Sequence, residues 1–344
     1  MSLLLTYSGL TTKVRAMSRN LITPEEYEQI ASLHSVREVI GFLQNHPAYS
    51  KSFALVDTQN LHRADLEKIL RVSEYQSFAK LYNFSSLKGR RYLEYYFIRY
   101  DVYFLKMMIR ELMNSNSISL DIHSFIMYYE RFSDINLRKL VLCTNVDEFI
   151  EALNGSRFYQ VLKKVRSIDN TTLFDYELSL DLFMFTYMWD NCRKYLKGKD
   201  LEVFTQTYGT TIDMLNISWI FRSKKFYKLS TAQLYSVLLP VNYKLRKSHL
   251  KSLVEAESVQ TMIDVLSTTV YGKYLKLIEG GSLESLYRVV LDRVHQLAGR
   301  NLPYTLATVN LYLYLKHKEI GQLITLTECI RYSYTPDEIR NMYK

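Results

Sequence analysis

Apolar residues in this chain recur at spacings of three and four, the mark of helices that turn one face inward. From Arg90 to Leu112, the residues Leu93, Phe97, Tyr100, Phe104, Met108 and Leu112 fall on one face, with Arg91, Glu94 and Lys106 off it. The same pattern predicts helices over Pro24–Leu33, Val36–Gln44, Leu61–Leu81, Asp175–Tyr195, Asp200–Arg222, Ser282–Ala298 and Leu302–Cys329. Thr23-Pro24-Glu25-Glu26 reads as a helix start: a capping hydroxyl, a proline at the first helical position, and acids facing the positive end. Thr335-Pro336-Asp337-Glu338 repeats it near the C-terminus. Sustained alternation of period two is scarce, so the expected fold class is all-α.

Two patterns recur three times each. Val36/Ile40/Leu43, Val146/Ile150/Leu153 and Val259/Ile263/Leu266 share one template, each followed by an aromatic: Tyr49, Phe158 or Tyr159, and Tyr271. Asp101/Leu105/Met108, Asp213/Ile217/Ile220 and Glu319/Leu323/Leu326 share another. Members of each set stand roughly 110 residues apart and in the same order, which predicts a threefold internal repeat. The expected domains are 1–118, 119–231 and 232–344.

The repeated acids have a physical consequence. Positions four and seven beyond a helical residue lie within about 40° of it, so Asp101, Asp213 and Glu319 each share an apolar face. A carboxylate there must find donors or bear a desolvation cost of several kcal/mol. Arg110 and Arg222 follow Asp101 and Asp213 by half a turn out of phase, so neither pairs with its own acid. The donors must come from another helix or a loop. The plainer expectation is a satisfied contact inside each domain; the sharper one is a hub where three domains meet.

Composition supports helices and narrows the function. Only 11 glycines and 5 prolines interrupt 344 residues, and 29 tyrosines suit half-buried helix faces and interfaces. The formal net charge is +9, with basic residues in small scattered groups rather than one block. It admits an acidic partner, a nucleic acid or an anionic membrane without choosing among them. Cys143, Cys192 and Cys329 are distant from one another, which fits reduced thiols in a cytoplasmic protein. The apolar opening is too short for a signal peptide. The strongest apolar run, Leu178–Trp189, contains Asp181 and is too short to span a bilayer.

No residue pattern asks to be catalytic. The seven histidines show no metal-ligand spacing, no phosphate-binding glycine loop occurs, and no nucleophile–base arrangement stands out. No cofactor, metal or small-molecule substrate is expected. The run Lys88–Tyr100 interleaves basic and aromatic residues as single-stranded nucleic-acid binders do, yet its aromatics lie at core-packing spacing. The cluster from Arg222 to Lys228 follows a helix, where cations complement the negative end or offer a docking patch for an acidic surface.

Four segments resemble the central-stalk C-subunit family of archaeal- and vacuolar-type rotary ATPases, in the family's order. They are Tyr7-Ser-Gly-Leu-Thr-Thr-Lys-Val-Arg-Ala16 with the acidic helix that follows, Asp101-Val-Tyr-Phe-Leu-Lys-Met-Met-Ile-Arg110, Asp213-Met-Leu-Asn-Ile-Ser-Trp-Ile-Phe-Arg222-Ser-Lys224, and Pro303 to Glu319. Departures from the pattern are Phe104 and Gln322 where asparagine is usual, Pro240-Val-Asn-Tyr in place of a glycine-bearing turn, and a missing glycine near Tyr332.

The resemblance implies three similar helical domains in a pseudo-threefold funnel, peripheral on the cytoplasmic face of the membrane. It implies two partners: the membrane proteolipid rotor ring under the wide face, and the axle of the catalytic head in the cup. Such a protein would transmit torque during ATP-linked proton or sodium transport without touching nucleotide. The candidate docking residues are the basic helix ends Arg90, Arg91, Arg110, Arg222, Lys224 and Lys225. The alternative is a cytoplasmic helical protein that binds nucleic acid or an anionic membrane through its basic surface.

Overall fold

The computed structural model describes residues 3–54, 61, 63–118, 125–126, 129–277 and 283–343, and among them there are helices and no strands. In chain order these are α1 (Leu3–Ser18), α2 (Pro24–Ala31), α3 (Val36–Asn45), α4 (Ser50–Phe53), α5 (Arg63–Phe84), α6 (Leu87–Tyr96) and α7 (Ile98–Ser115). Then come α8 (Leu137–Leu140), α9 (Val146–Ala152), α10 (Tyr159–Arg166), α11 (Leu173–Tyr195) and α12 (Gly198–Arg222), the last continued by a π-helical turn over Ser223–Tyr227. The remainder are α13 (Thr231–Val237), α14 (Lys247–Glu255), α15 (Val259–Ser267), α16 (Gly272–Leu275), α17 (Leu283–Asn301), α18 (Leu306–Arg331) and α19 (Pro336–Tyr343).

Local chemistry sets the ends. The Thr23 hydroxyl accepts from Glu26 N at 3.2 Å, while the Glu26 carboxylate accepts from Thr23 N at 2.8 Å, closing a capping box at Pro24. Thr335 and Glu338 do the same at Pro336. Where a glycine is missing after α18, Ser333 takes the left-handed conformation at φ 57°, and Tyr334 N reaches back to Cys329 O at 3.0 Å.

Two predicted helices differ from expectation. The stretch Arg90 to Leu112 is divided at Phe97, which is buried against Tyr100 and Phe132 with centroids 5.2 and 5.4 Å away. Its carbonyl accepts from Tyr100 N at 2.9 Å, a tightened turn through which the apolar spacing runs on unbroken. The last long helix begins at Leu306 rather than Leu302. Pro303 falls in the intervening turn, and the buried Asp200 carboxylate caps the new start by accepting Leu306 N at 3.0 Å.

The chain forms two compact units. One comprises Met1–Arg90, His123–Tyr129 and Thr308–Lys344; the other comprises Arg91–Ile122 and Glu130–Ala307. The first joins the two ends of the chain: Ile30, Val39, Leu43, Tyr49, Leu70, Ile320, Leu323 and Ile339 share one apolar core. Arg340 on α19 pairs with Glu28 on α2 at 2.6 Å. In the second unit α11 packs on α7, α10 and α12, and α17 runs against α12.

Candidate functional site

Each of the three repeated acids is buried, and each holds a segment that lies far away along the chain. Asp213 stands on the inner face of α12. Its Oδ2 accepts from Lys244 N at 2.8 Å, Leu245 N at 3.0 Å and the Tyr271 hydroxyl at 2.7 Å. Three residues on, Asn216 grips the backbone of Leu239 from both sides, accepting its N–H at 2.8 Å and donating to its carbonyl at 3.2 Å.

Two glycines make this clamp possible. A Cβ on Gly209, one turn before Asp213, would lie 2.5 Å from the Tyr243 ring, so the glycine lets Tyr243 lie on α12 and present the next two N–H groups. A Cβ on Gly272 would meet the Ser267 carbonyl oxygen at 2.1 Å, and its absence lets the chain turn tightly beside Tyr271.

Glu319 on α18 repeats the arrangement with the first residues of the chain. Its Oε2 accepts Ile22 N at 2.6 Å, and its Oε1 accepts the Tyr49 hydroxyl at 2.5 Å. Lys316 Nζ reaches both Glu319 Oε1 at 2.8 Å and the Tyr49 hydroxyl at 2.9 Å, so the buried charge is neutralised one turn away. Burial, then the nearby carboxylate, pushes the Tyr49 hydroxyl well above its ordinary range. Gln322, standing at the Asn216 position of this repeat, accepts from the Tyr27 hydroxyl at 3.0 Å.

Asp101 on α7 is the plainest version. The Ser133 hydroxyl donates to its Oδ1 at 2.6 Å and itself accepts Ile135 N at 3.1 Å. Phe104 fills the third-residue position with a fully buried ring, and Phe158, which lacks a hydroxyl, stands where the other repeats have Tyr49 and Tyr271. Arg157, beside Phe158, carries a charge that feels Asp101.

Ser133, which donates to Asp101, lies in the 119–231 stretch; Lys244, Leu245 and Tyr271, which donate to Asp213, lie in 232–344; and Ile22 and Tyr49, which donate to Glu319, lie in 1–118. Each acid therefore reaches into the next of these stretches of sequence, the last into the first, while Glu319 also keeps Lys316 from its own stretch. The phase argument holds: Arg110 pairs with Glu177 on α11 at 2.6 Å instead of with Asp101.

The basic helix ends divide by what they touch. Arg90 donates to the carbonyls of Tyr82 at 3.1 Å and Asn83 at 3.2 Å, capping the end of α5. Arg91 is exposed, pairs with Glu94 at 3.1 Å and lies over the Tyr95 ring. Lys224 turns inward on the π turn and donates to Val254 O at 2.8 Å and to Ala256 O, closing the end of α14; burial holds its ammonium below the usual lysine range. Arg222 and Lys225 stay exposed on the same turn, Lys225 over the rings of Phe221 and Phe226. Phe226 and Tyr227 are also exposed beside them.

A cavity of about 300 Å³ opens beside this turn, walled by Leu182, Phe185, Trp219, Leu239 and Tyr287, with Arg222 and Asp181 among its polar lining. Burial raises the Asp181 carboxyl, but Lys106 occupies it at 2.8 Å. Sequence reasoning missed Lys316, Ser133 and the backbone donors of Ile22, Lys244 and Leu245. The only trace of Lys316 was its place three residues before Glu319.

The chain is thus an all-helical protein in which buried acids tie distant segments of sequence together. Residues 10–342 match the profile of the ATP synthase (C/AC39) subunit family, and the chain belongs to that family. It is 24% identical to the C subunit of the A-type ATP synthase from Pyrococcus horikoshii, over 98% of this chain and 90% of that protein. It is 21% identical to its namesake from Methanocaldococcus jannaschii over 98% and 86%. Against that of Methanococcoides burtonii the identity is 27% over 63% and 59%. Membership makes this chain a non-catalytic stalk subunit of a rotary ATP synthase, an ion-transporting motor whose nucleotide chemistry belongs to other chains. No helix among the described residues is long and apolar enough to cross a membrane.

Proposed function

We propose that this chain is the central-stalk coupling piece of its rotary ATPase, passing torque between the axle of the catalytic head and the membrane proteolipid ring. It would sit peripherally on the cytoplasmic face, with three similar helical domains, 1–118, 119–231 and 232–344, disposed as a pseudo-threefold funnel. The observation that carries this reading is the acid clamp, made three times, each reaching into the next stretch of sequence and the last returning to the first. Such cyclic bonding suits a part that must transmit torsion without opening at its chain ends. Buried, hydrogen-bonded carboxylates resist that loading because separating a pair leaves an uncompensated charge in the interior.

The docking candidates follow from what each cation already does. Arg222 and Lys225, with the exposed Phe226 and Tyr227, combine charge with aromatic area as interface anchors do. Arg90 and Lys224 serve the fold, and Arg91 and Arg110 would contribute only by exchanging Glu94 and Glu177 for a partner's carboxylate.

The test is capture of purified chain by detergent-solubilised proteolipid rings and, separately, by axle subunits. One copy bound per ring, together with capture by the axle, is the expected result. A folded chain that binds neither would refute the coupling role.

A further inference from the structure

The cavity beside the π turn is space that the acid clamps leave unused, and its shape follows from how α11 and α12 pack. Leu178, Leu182 and Phe185 on α11 line it at spacings of four and three, as do Leu215, Trp219 and Arg222 on α12. Each set is therefore one stripe of its helix. The Phe185 ring lies 5.8 Å from Tyr208, and the Phe174 ring 6.2 Å from Trp219. These ring pairs stand equally far apart along both helices, which fixes an antiparallel register and puts Phe185 and Trp219 at opposite ends of the space. At the rise of an α-helix those ends are about 16 Å apart. A volume of about 300 Å³ drawn out over that length is long and narrow, with room for roughly a dozen non-hydrogen atoms at interior packing density.

Polar groups on the walls are few and unevenly placed. Asp181 lies toward the Phe185 end, where Lys106 already holds its carboxylate at 2.8 Å. Ser218 and Arg222, one turn apart on α12, stand toward the Trp219 end, and Arg222 is exposed there. The space is thus an apolar barrel with a neutralised acid near its inner end and a cation at its mouth. Water makes few hydrogen bonds against such walls, and cavities of this kind take up apolar molecules.

We propose that the cavity binds a medium-chain fatty acid, its alkyl chain between α11 and α12 and its carboxylate at the mouth on Arg222 and the Ser218 hydroxyl. A guanidinium matches a carboxylate in geometry as well as in charge. Asp181 sets the direction, because a carboxylate at the inner end would face its charge, whereas at the mouth it meets Arg222. A neutral alcohol of the same length shares the chain contacts and forgoes the ion pair.

The experiment titrates the full chain, without ring or axle, with decanoate below its micellar range and in parallel with decanol. Calorimetry reads the binding and tryptophan fluorescence reads its place. Wild type is expected to bind one decanoate per chain, more tightly than decanol. The chain has two tryptophans, Trp189 and Trp219, so the fluorescence change should vanish in Trp219→Phe while calorimetric binding persists. Arg222→Gln should weaken decanoate by about tenfold and leave decanol unchanged. Ser218→Phe, which fills the barrel, should weaken both. Arg193→Gln, at an exposed arginine 4.8 Å from the Trp189 ring and outside the cavity, should alter neither. Arg222 is exposed, so its variant carries the test even where Ser218→Phe fails to fold. No saturable decanoate binding, equal losses of decanoate and decanol in Arg222→Gln, or undiminished binding in a folded Ser218→Phe would overturn the site.

Discussion

The Tyr49 hydroxyl donates to the Glu319 carboxylate at 2.5 Å although 270 residues separate them in the chain. With Ile22 N and Lys316 on the same carboxylate, this one acid ties the last long helix to the first short ones. Glu319→Ala leaves the Lys316 ammonium buried and unpaired, and should cost about 3–5 kcal/mol. Tyr49→Phe removes one hydroxyl and leaves Lys316 with Glu319, so about 1–3 kcal/mol is expected. Urea unfolding of the two variants checks the order. Equal losses would mean that ring packing, not the charge network, holds the ends together.

Asp213 makes a prediction about pH. Burial raises its carboxyl above the usual 3.8, against the opposing pull of Tyr271 and the backbone N–H groups, and its Oδ1 meets no donor among the described residues. A raised acid binds its proton more tightly in the folded state. Its contribution is therefore greatest at low pH and is lost as pH rises from about 4 through the raised value. Asp213→Asn keeps an acceptor for Tyr271 and the two N–H groups without the charge. The stability advantage of wild type over Asp213→Asn should shrink between pH 4 and pH 7; an advantage that grows would reverse the assignment.

His295 on α17 gives the opposite slope. Burial, followed by the charge of Arg99, holds its imidazole down at about 4, against 6.5 unfolded. The unfolded chain takes up a proton that the folded one refuses, so stability is complete above the unfolded value and is lost as pH falls from about 6.5 towards 4. The loss across that window is about 3 kcal/mol for a group so deeply buried. His295→Gln should remove about one proton from the pH dependence of urea unfolding, read as the slope of stability between pH 4.5 and pH 6.

The helices, their capping boxes and the burial of Asp101, Asp213 and Glu319 were legible in the sequence, because spacing and cap chemistry are local. So was the inability of Arg110 to reach Asp101, which is a matter of helical phase. The donors were not. Ile22, Lys244 and Leu245 contribute backbone N–H groups, which every residue but proline carries and no side chain announces. The interruption at Phe97 was hidden because apolar spacing continues through it. Lys224 could not be told from Lys225 in a run of cations; the π turn alters the phase so that one points into the end of α14 and the other into solvent.

That difference in phase separates assembly from folding. Arg222 and Lys225 are exposed, so Arg222→Glu with Lys225→Glu should leave urea stability nearly unchanged, within about 0.5 kcal/mol. The same pair should weaken capture by the ring or the axle by about tenfold, mostly by slowing association. Raising salt screens exposed charges, so a fourfold increase in ionic strength should shrink the gap between variant and wild type. Lys224→Met should behave in reverse: it removes the cap from the Val254 and Ala256 carbonyls and lowers stability, while leaving capture by the folded fraction intact. Stopped-flow association and urea unfolding on the same preparations distinguish the two. Loss of capture in Lys224→Met at full folding, with none in the double reversal, would move the docking surface away from this turn.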